Sequence, residues 1–480
     1  METRKEALSG CRSNHAGKMF GLIALVAFVA CALVVSFTAK TKIAASKTAQ
    51  PASSINDPLT LVLTPHTGDS RTDRKISRFQ LEIRNGRNPE LALEQLGWAF
   101  VAKARESFDP GFYTLAEMCA LGIEKRNPQS HAAMLLRGHT LQNLHRFKES
   151  EALARRLIEQ RALSFDYGLL GDALMEQGRL QEAVEAYQRM MDLKPDLHAY
   201  ARSAHMRWLK GDLDGAIEVM TLAVSAASPL DAESAAWVNT RLSSYEFQAG
   251  RFESAEQRCA VALSFQGNYA PALLLRGKML LAQNMPGRAA DILRDAAKLN
   301  PLPEYQWALA DALHAAGGQE KEAFAIEAQL RQHGEASDPR TYALFLATRR
   351  ESPETALRLA KAEFDSRSDV FTHDALAWSL VEADELTEAR SEMERALVEG
   401  TEDGRLFFHA AVIHAKTGHK EEALRFFEKA ARLRHLLLPS EREQLRLASG
   451  AMNNDFADSA CPANGATALN LTATQSPTRD

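Results

Sequence analysis

Ala183, Ala216, Ala255 and Ala289 stand 33, 39 and 34 residues apart, each in the same local pattern. Small residues precede them at the same offsets: Gly171 and Gly178, Ala204 and Gly211, Ser243 and Gly250, with Gly277 ahead of Ala289. Two short amphipathic helices approach closely only where their contact positions are small. Each such pair keeps an apolar face that only a neighbouring pair can cover. The spacing therefore constrains the chain to a stacked array of helical pairs.

The clearest copy, residues 171–195, reads GDALMEQGRLQEAVEAYQRMMDLKP. It has small residues at Gly171 and Ala183, a turn at Gly178, a ring at Tyr187 and a helix-stopping Pro195. This resembles a tetratricopeptide repeat, two antiparallel helices in a period of ~34 residues. Further copies carry Ala216 and Ala223, Ala255 and Ala262, and Ala289, Ala296 and Pro301. The longer middle interval fits an insertion near Ser228-Pro229-Leu230, where proline interrupts the helical pattern. Residues 131–162 fit with Gly138 and Phe147, Ser150 replacing the usual alanine. Residues 303–334 fit around Ala310, Leu313 and Gly317 with a one-residue slip before Ala323. The pattern degenerates over 338–366, then returns at Ala377, Ala389 and Ala396 and at Ala411, Gly418, Ala423 and Ala430. About eight repeats are expected between 131 and 434, after divergent helical pairs at 73–130 and before a capping helix at 435–450. HEAT-like, Sel1-like or irregular helical arrays are the rival readings. The HEAT period, ~40–47 residues, is longer than the spacing here. The resemblance implies an all-α fold, a right-handed superhelical solenoid of helix-turn-helix repeats. It also implies a non-catalytic scaffold that binds partner proteins or peptides in its concave groove.

The ends differ in composition. Residues 1–18 are basic, with Arg4, Lys5, Arg12 and Lys18, and 19–38 hold no charge. Twenty apolar residues suffice to cross a bilayer as one helix. A single-pass transmembrane signal-anchor is expected, because a cleaved leader has a shorter apolar core and ends in a small-x-small site. The rival is a soluble exported module, periplasmic after signal cleavage. Basic residues flank the span on both sides, so charge hardly fixes orientation; an extracytoplasmic repeat domain is the favoured reading. Residues 39–72 read as a flexible tether. Its apolar island PLTLVLTP (58–65) is either a juxtamembrane stretch or first helix, or an extended segment docked on the array. Residues 451–480 lack periodicity and are expected to be disordered.

Charge and motif content exclude several classes of function. A net charge of −5 without clustered Lys and Arg gives no nucleic-acid surface. The five cysteines (11, 31, 119, 259 and 461) share no spacing and include no C-x-x-C. Zincin, P-loop, dinucleotide and nucleophile-elbow motifs are all missing. No catalytic residue, metal or cofactor is therefore expected. In the resembling family the first helices of successive repeats line the groove. Repeat arithmetic places His139, Asp172, His205, Ser244, Lys278, Asp311 and Trp378 at one groove-facing offset. Trp208 and His314 follow three residues later on their helices. Trp237 and Trp307 are expected to pack between repeats. Chaperone-binding members grip a terminal carboxylate with Lys and Asn, but the matching positions here are Leu135 with His139 and Gly168 with Asp172. Asp172 is expected to repel such a group. The partners implied are proteins or peptides, with the membrane engaged through 19–38; oligomeric state is left open.

Overall fold

A computed structural model of the protein describes residues 58–86 and 88–459, within a unit spanning 53–480. It opens with α1 (Pro58–Val62), α2 (Arg71–Arg84), α3 (Pro89–Ser107) and α4 (Gly111–Glu124). Nine helical pairs follow among the described residues. The first three are α5 (His131–Asn143) with α6 (Phe147–Gln160), α7 (Ser164–Glu176) with α8 (Leu180–Leu193), and α9 (Leu197–Leu209) with α10 (Leu213–Ala226). Then come α11 (Ala232–Gln248) with α12 (Phe252–Phe265), α13 (Ala270–Ala282) with α14 (Pro286–Leu299), and α15 (Pro303–Ala316) with α16 (Glu320–Ser337). The last three are α17 (Pro339–Arg349) with α18 (Pro353–Ser366), α19 (Val370–Glu382) with α20 (Leu386–Leu397), and α21 (Gly404–Lys416) with α22 (Lys420–Arg432). A 3-10 turn at Arg434–Leu436 leads into α23 (Pro439–Ser459).

The turn inside each pair sets the register. Besides Gly318 and Ser352, which add a second such residue in two of the turns, one equivalent position in each turn adopts a left-handed backbone: His145, Gly178, Gly211, Gly250, Asn284, Gly317, Arg350, Asp384 and Gly418. At these equivalent positions φ runs from 56° to 82°, which glycine adopts without the steric cost other residues meet. The spacing is 33 or 34 residues except between Gly211 and Gly250, where it is 39. There α11 is 17 residues long and follows a turn at Ser228–Asp231. The degenerate 338–366 stretch keeps the register, with Arg350 in place of glycine.

First and second helices are built differently. Tyr305 through Leu313 of α15 are buried without a break, because this helix lies between its own partner and both neighbouring pairs. In α8 only Leu180, Ala183, Ala186, Tyr187 and Met190 are buried, one stripe of an amphipathic helix. The small positions bring the two together. A Cβ on Gly171 would lie 2.3 Å from the Tyr187 ring, and one on Gly277 would lie 2.4 Å from the Leu293 side chain.

The array curls until it meets itself. Ser368 N donates to Glu176 O at 3.0 Å and its Oγ to Gln177 O at 2.8 Å. Thr401 Oγ1 donates to Leu209 O at 2.5 Å, and Lys210 Nζ reaches Glu399 at 2.6 Å. His435 Nε2 lies 2.9 Å from Phe247 O. The side-chain contacts join residues 188 to 192 positions apart, about five and a half repeats. Loops of the second turn therefore stack on the ends of first helices in the first turn.

One segment settles between its open readings and another departs from its expected role. The 58–65 island is the first helix rather than part of a flexible tether or an extended segment: it forms α1, packed on α4, with Val62 fully buried. Gln80 Nε2 donates to the carbonyls of Val62 and Thr64, both at 2.8 Å. Leu59, Val62 and Leu63 share one helical face, and folding it onto the array removes it from water. The C-terminal segment is not a polar cap on an outer end. Leu437, Leu438 and Leu445 are buried, and Ser440 N donates to Asp311 at 2.9 Å. Arg442 reaches Leu281 O at 3.0 Å and Gln444 reaches Thr348 O at 2.6 Å. This segment covers the ends of α13, α15 and α17, so its buried leucines meet the array rather than water. The helix also continues to Ser459, past the expected boundary at 450. The expected transmembrane segment at 19–38, the basic stretch at 1–18 and residues 460–480 of the expected tail lie outside the described residues. Among the described residues no helix is long and apolar enough to cross a membrane.

Candidate partner-binding cleft

Residues far apart in sequence, from Trp98 to Ser337, converge on a cleft of about 800 Å³. Eight come from the first two turns of first helices, Phe165 and Leu169 on α7, Leu197, His198 and Arg202 on α9, and Glu233, Ser234 and Trp237 on α11. Leu135 and His139 of α5, Tyr269 before α13 and Leu302 before α15 complete one side. Trp98, Arg105 and Tyr113, from α3 and α4, form the other. The cleft is therefore the inner face of the curl. Its walls are mainly aromatic and aliphatic, and no Asn or Gln is among its lining residues.

The polar groups are few and mostly spoken for. Arg202 grips Asp172 with two bonds, Nε to Oδ1 at 2.7 Å and Nη2 to Oδ2 at 2.6 Å, while Tyr187 OH donates to Oδ1 at 2.8 Å. At the rim Arg105 meets Glu233 at 3.2 Å. The His139 ring lies 5.4 Å from that of Trp98; burial, with the Arg105 charge, pushes its imidazole down to about 4. Burial also lowers His198, whose ring lies 5.5 Å from Phe165. Deeper in, His205 sits beside Arg241 and Tyr245; burial, then the Arg241 charge, pushes it down to about 3. These histidines are neutral at pH 7.

The residues expected at the groove offset, and the two three residues beyond it, are spread over different surroundings. His139 and Asp172 line the cleft. His205 and Trp208 lie beyond it, where Trp208 stacks on Phe371 of the second turn at 5.6 Å. Lys278 opens into a smaller chamber of about 250 Å³, shared with Glu304, Arg340, Asp403 and Arg405, and pairs with Glu304 at 2.5 Å. Asp311 is sealed under the C-terminal segment, bonded to Ser440 N and to Arg349. His314 turns to its own pair's second helix, 3.2 Å from Glu327 and edge-on to Phe324. Trp378 packs between repeats, its Nε1 donating to Thr348 Oγ1 at 3.2 Å and its ring 4.1 Å from His409. Trp307 is buried between units. Trp237 is not: it is 38% exposed and lines the cleft.

Sequence arithmetic missed Phe165, His198, Arg202, Trp237 and Arg241. All lie on the counted stripe but three or seven residues earlier, so a full i, i+4, i+7 stripe through Asp172, His205 and Ser244 contains them. Trp98 and Tyr113 belong to the divergent helices, where no repeat offset could be counted.

Among the described residues no three His, Cys, Asp or Glu side chains gather in a geometry suited to a metal ion. Residues 135–198, 169–232 and 375–434 match the family model of the tetratricopeptide repeat. No curated protein matches the chain. Among solved structures, the crystal structure of MamA is similar at 14% identity, over 34% of this chain and 94% of that one, with a TM-score of 0.28. A structure from the functional characterization of Pseudomonas aeruginosa pilF is similar at 14% identity, over 59% of this chain and 96% of that one, with a TM-score of 0.27. At these scores neither likeness bears on overall shape or on function. Residues 135–232 and 375–434 are thus tetratricopeptide repeats, and the helical pairs between them keep the same left-handed turn.

Proposed function

We propose that the protein is a non-catalytic, membrane-tethered scaffold whose cleft receives an apolar-faced helix of a partner protein. Tetratricopeptide repeats imply a protein-interaction scaffold; the helix and the tether are the finer reading. The observation that carries it is the cleft lining, rich in aromatic rings yet without a single side-chain amide. An extended peptide would bury backbone N–H and C=O groups there with few partners, which is costly. A helix brings those groups already bonded to one another. The walls stand on helices packed in the array, so little ordering cost falls on binding. Tethering through 19–38 would hold the scaffold at the bilayer and favours partners of a membrane-associated assembly.

A photo-crosslinking residue at Trp237, compared with one at exposed Leu222 on α10, tests the cleft in intact cells. Adducts are expected from position 237 and not from 222. Equal yields from both would remove the cleft as the site. In the same cells a membrane-impermeant maleimide reports the tether's sidedness. Cys119 and Cys259 are buried, and burial raises both thiols, Cys259 to about 11, so labelling of variants retaining only Cys11 or only Cys461 in addition reads the two ends. Labelling of the Cys461 variant alone is expected. A purified chain whose mass begins near residue 39 would instead establish the cleaved, soluble form.

A further inference from the structure

Cations on the inner face come with carboxylates. Arg202 is forked onto Asp172, Lys278 meets Glu304 at 2.5 Å, and Arg340 meets Asp369 at 3.1 Å. Arg349 pairs with Asp311 at 2.8 Å and Arg405 with Glu441 at 2.5 Å. Arg241 on α11 breaks this series. Its Nη2 donates to His205 Nδ1 and to Tyr245 OH, both at 3.0 Å, and its Cζ lies 5.1 Å from the Tyr245 ring centroid. Neither partner is a carboxylate, and among the described residues no carboxylate pairs with this guanidinium. Its Nε and Nη1 donors bond to no side chain or backbone group of the protein, yet neither is a buried orphan, so both stay reachable from solvent.

The position of Arg241 says what those donors lie next to. Glu233, Ser234 and Trp237 line the cleft from α11; Arg241 is not itself among the lining residues but stands one turn further along the same stripe, about 6 Å past Trp237. Its charge is felt at the phenol of Tyr269, another wall of the cleft. Past it the inner face is shut where Trp208 meets Tyr245 at 6.0 Å and Phe371 at 5.6 Å. A guanidinium with free donors thus sits just past the lined end of an aromatic cleft, one helical turn beyond Trp237. Its planar fork matches a carboxylate, the strongest hydrogen-bond partner such a group can take.

We infer that Arg241 is an anion subsite at the inner end of the cleft, and that the partner helix presents one Asp or Glu side chain to it from among apolar residues. This rests on the cleft being the partner site. It also changes the reading of Asp172: with Arg202 and Tyr187 on its carboxylate, Asp172 no longer sets the sign of the groove.

The test pans a library of 12-residue peptides, displayed with blocked C-termini, against the full chain and against Arg241→Gln and Arg241→Lys. Wild type is expected to enrich apolar peptides with one acidic residue. An enriched peptide should bind roughly tenfold to a hundredfold more tightly than its Glu→Gln or Asp→Asn version. That preference should vanish in Arg241→Gln and survive in part in Arg241→Lys, with unchanged helicity in both. Apolar peptides without an acid, still blocked by Trp237→Ala, would overturn the subsite and leave the cleft standing. Peptides indifferent to Trp237→Ala would overturn the cleft itself. Enrichment confined to a second library with free C-termini would move recognition to the chain end and overturn the side-chain assignment.

Discussion

His139 and His205 hold their imidazoles neutral inside a protein that also places Arg105, Arg202 and Arg241 nearby. Both folded values lie below the ordinary 6.5, at about 4 and about 3. The unfolded chain therefore takes up protons first as the pH falls, and these two groups cost stability progressively below 6.5. Above that value they contribute no pH dependence. Melting temperature followed by circular dichroism should fall between pH 6.5 and 4, and His139→Gln with His205→Gln should flatten that fall. An unaltered slope would put its origin in other groups. The site was only half legible at this scale. A repeat offset identifies which face of a helix looks inward, which is why His139 and Asp172 line the cleft. It does not say how deep along that face the wall opens or where a second turn closes it, so Trp208 and Asp311 face inward and are nevertheless covered. The stripe through Ser244 contains Arg241 but does not single it out; what does is the carboxylate it lacks.

Helical pairs were the most legible level, since small residues at fixed offsets have a direct steric meaning. Gly171 shows it. A Cβ there would meet the Tyr187 ring at 2.3 Å, and that ring is held by its bond to Asp172 at 2.8 Å, so it is poorly placed to yield. Gly171→Ala gains up to about 1 kcal/mol of helix propensity. Overpacking costs about 1–3 kcal/mol and should win. Urea unfolding is expected to show a net loss, and a net gain would mean that α7 and α8 can move apart freely. The turn chemistry was less legible. Glycine announces the left-handed position at 178, 211, 250 and 418, but His145, Asn284, Arg350 and Asp384 adopt it without that signal. The helix α1 was left among alternatives and α23 was misread, for one shared reason. Their sequences show an amphipathic face, but the surface that covers it lies elsewhere in the chain.

For the whole molecule the decisive contacts are those between turns, which no local pattern encodes. Gly178 and Gly211 are pinned there. Added Cβ atoms would lie 2.3 Å from Ser368 O and 2.6 Å from Gly400 O, whereas Gly250 has open space around it. Gly178→Ala with Gly211→Ala should loosen the second turn, so amide exchange at 367–371 and 399–403 rises at least tenfold while α13 and α14 stay protected. Gly250→Ala, which meets only the backbone strain of its φ of 72°, is the matched control. Equal exchange in the double variant and the control would show that the seam does not hold the turns together. The 188-to-192-residue reach of these contacts also sets a schedule for synthesis. At 5–20 residues per second, the ends of α7 and α9 wait roughly ten to forty seconds for the loops that will cover them. During that interval the first turn exists as an open crescent on the ribosome, with Trp208 uncovered, and a chaperone or an early-arriving partner has its widest access to the inner face before the chain shuts it.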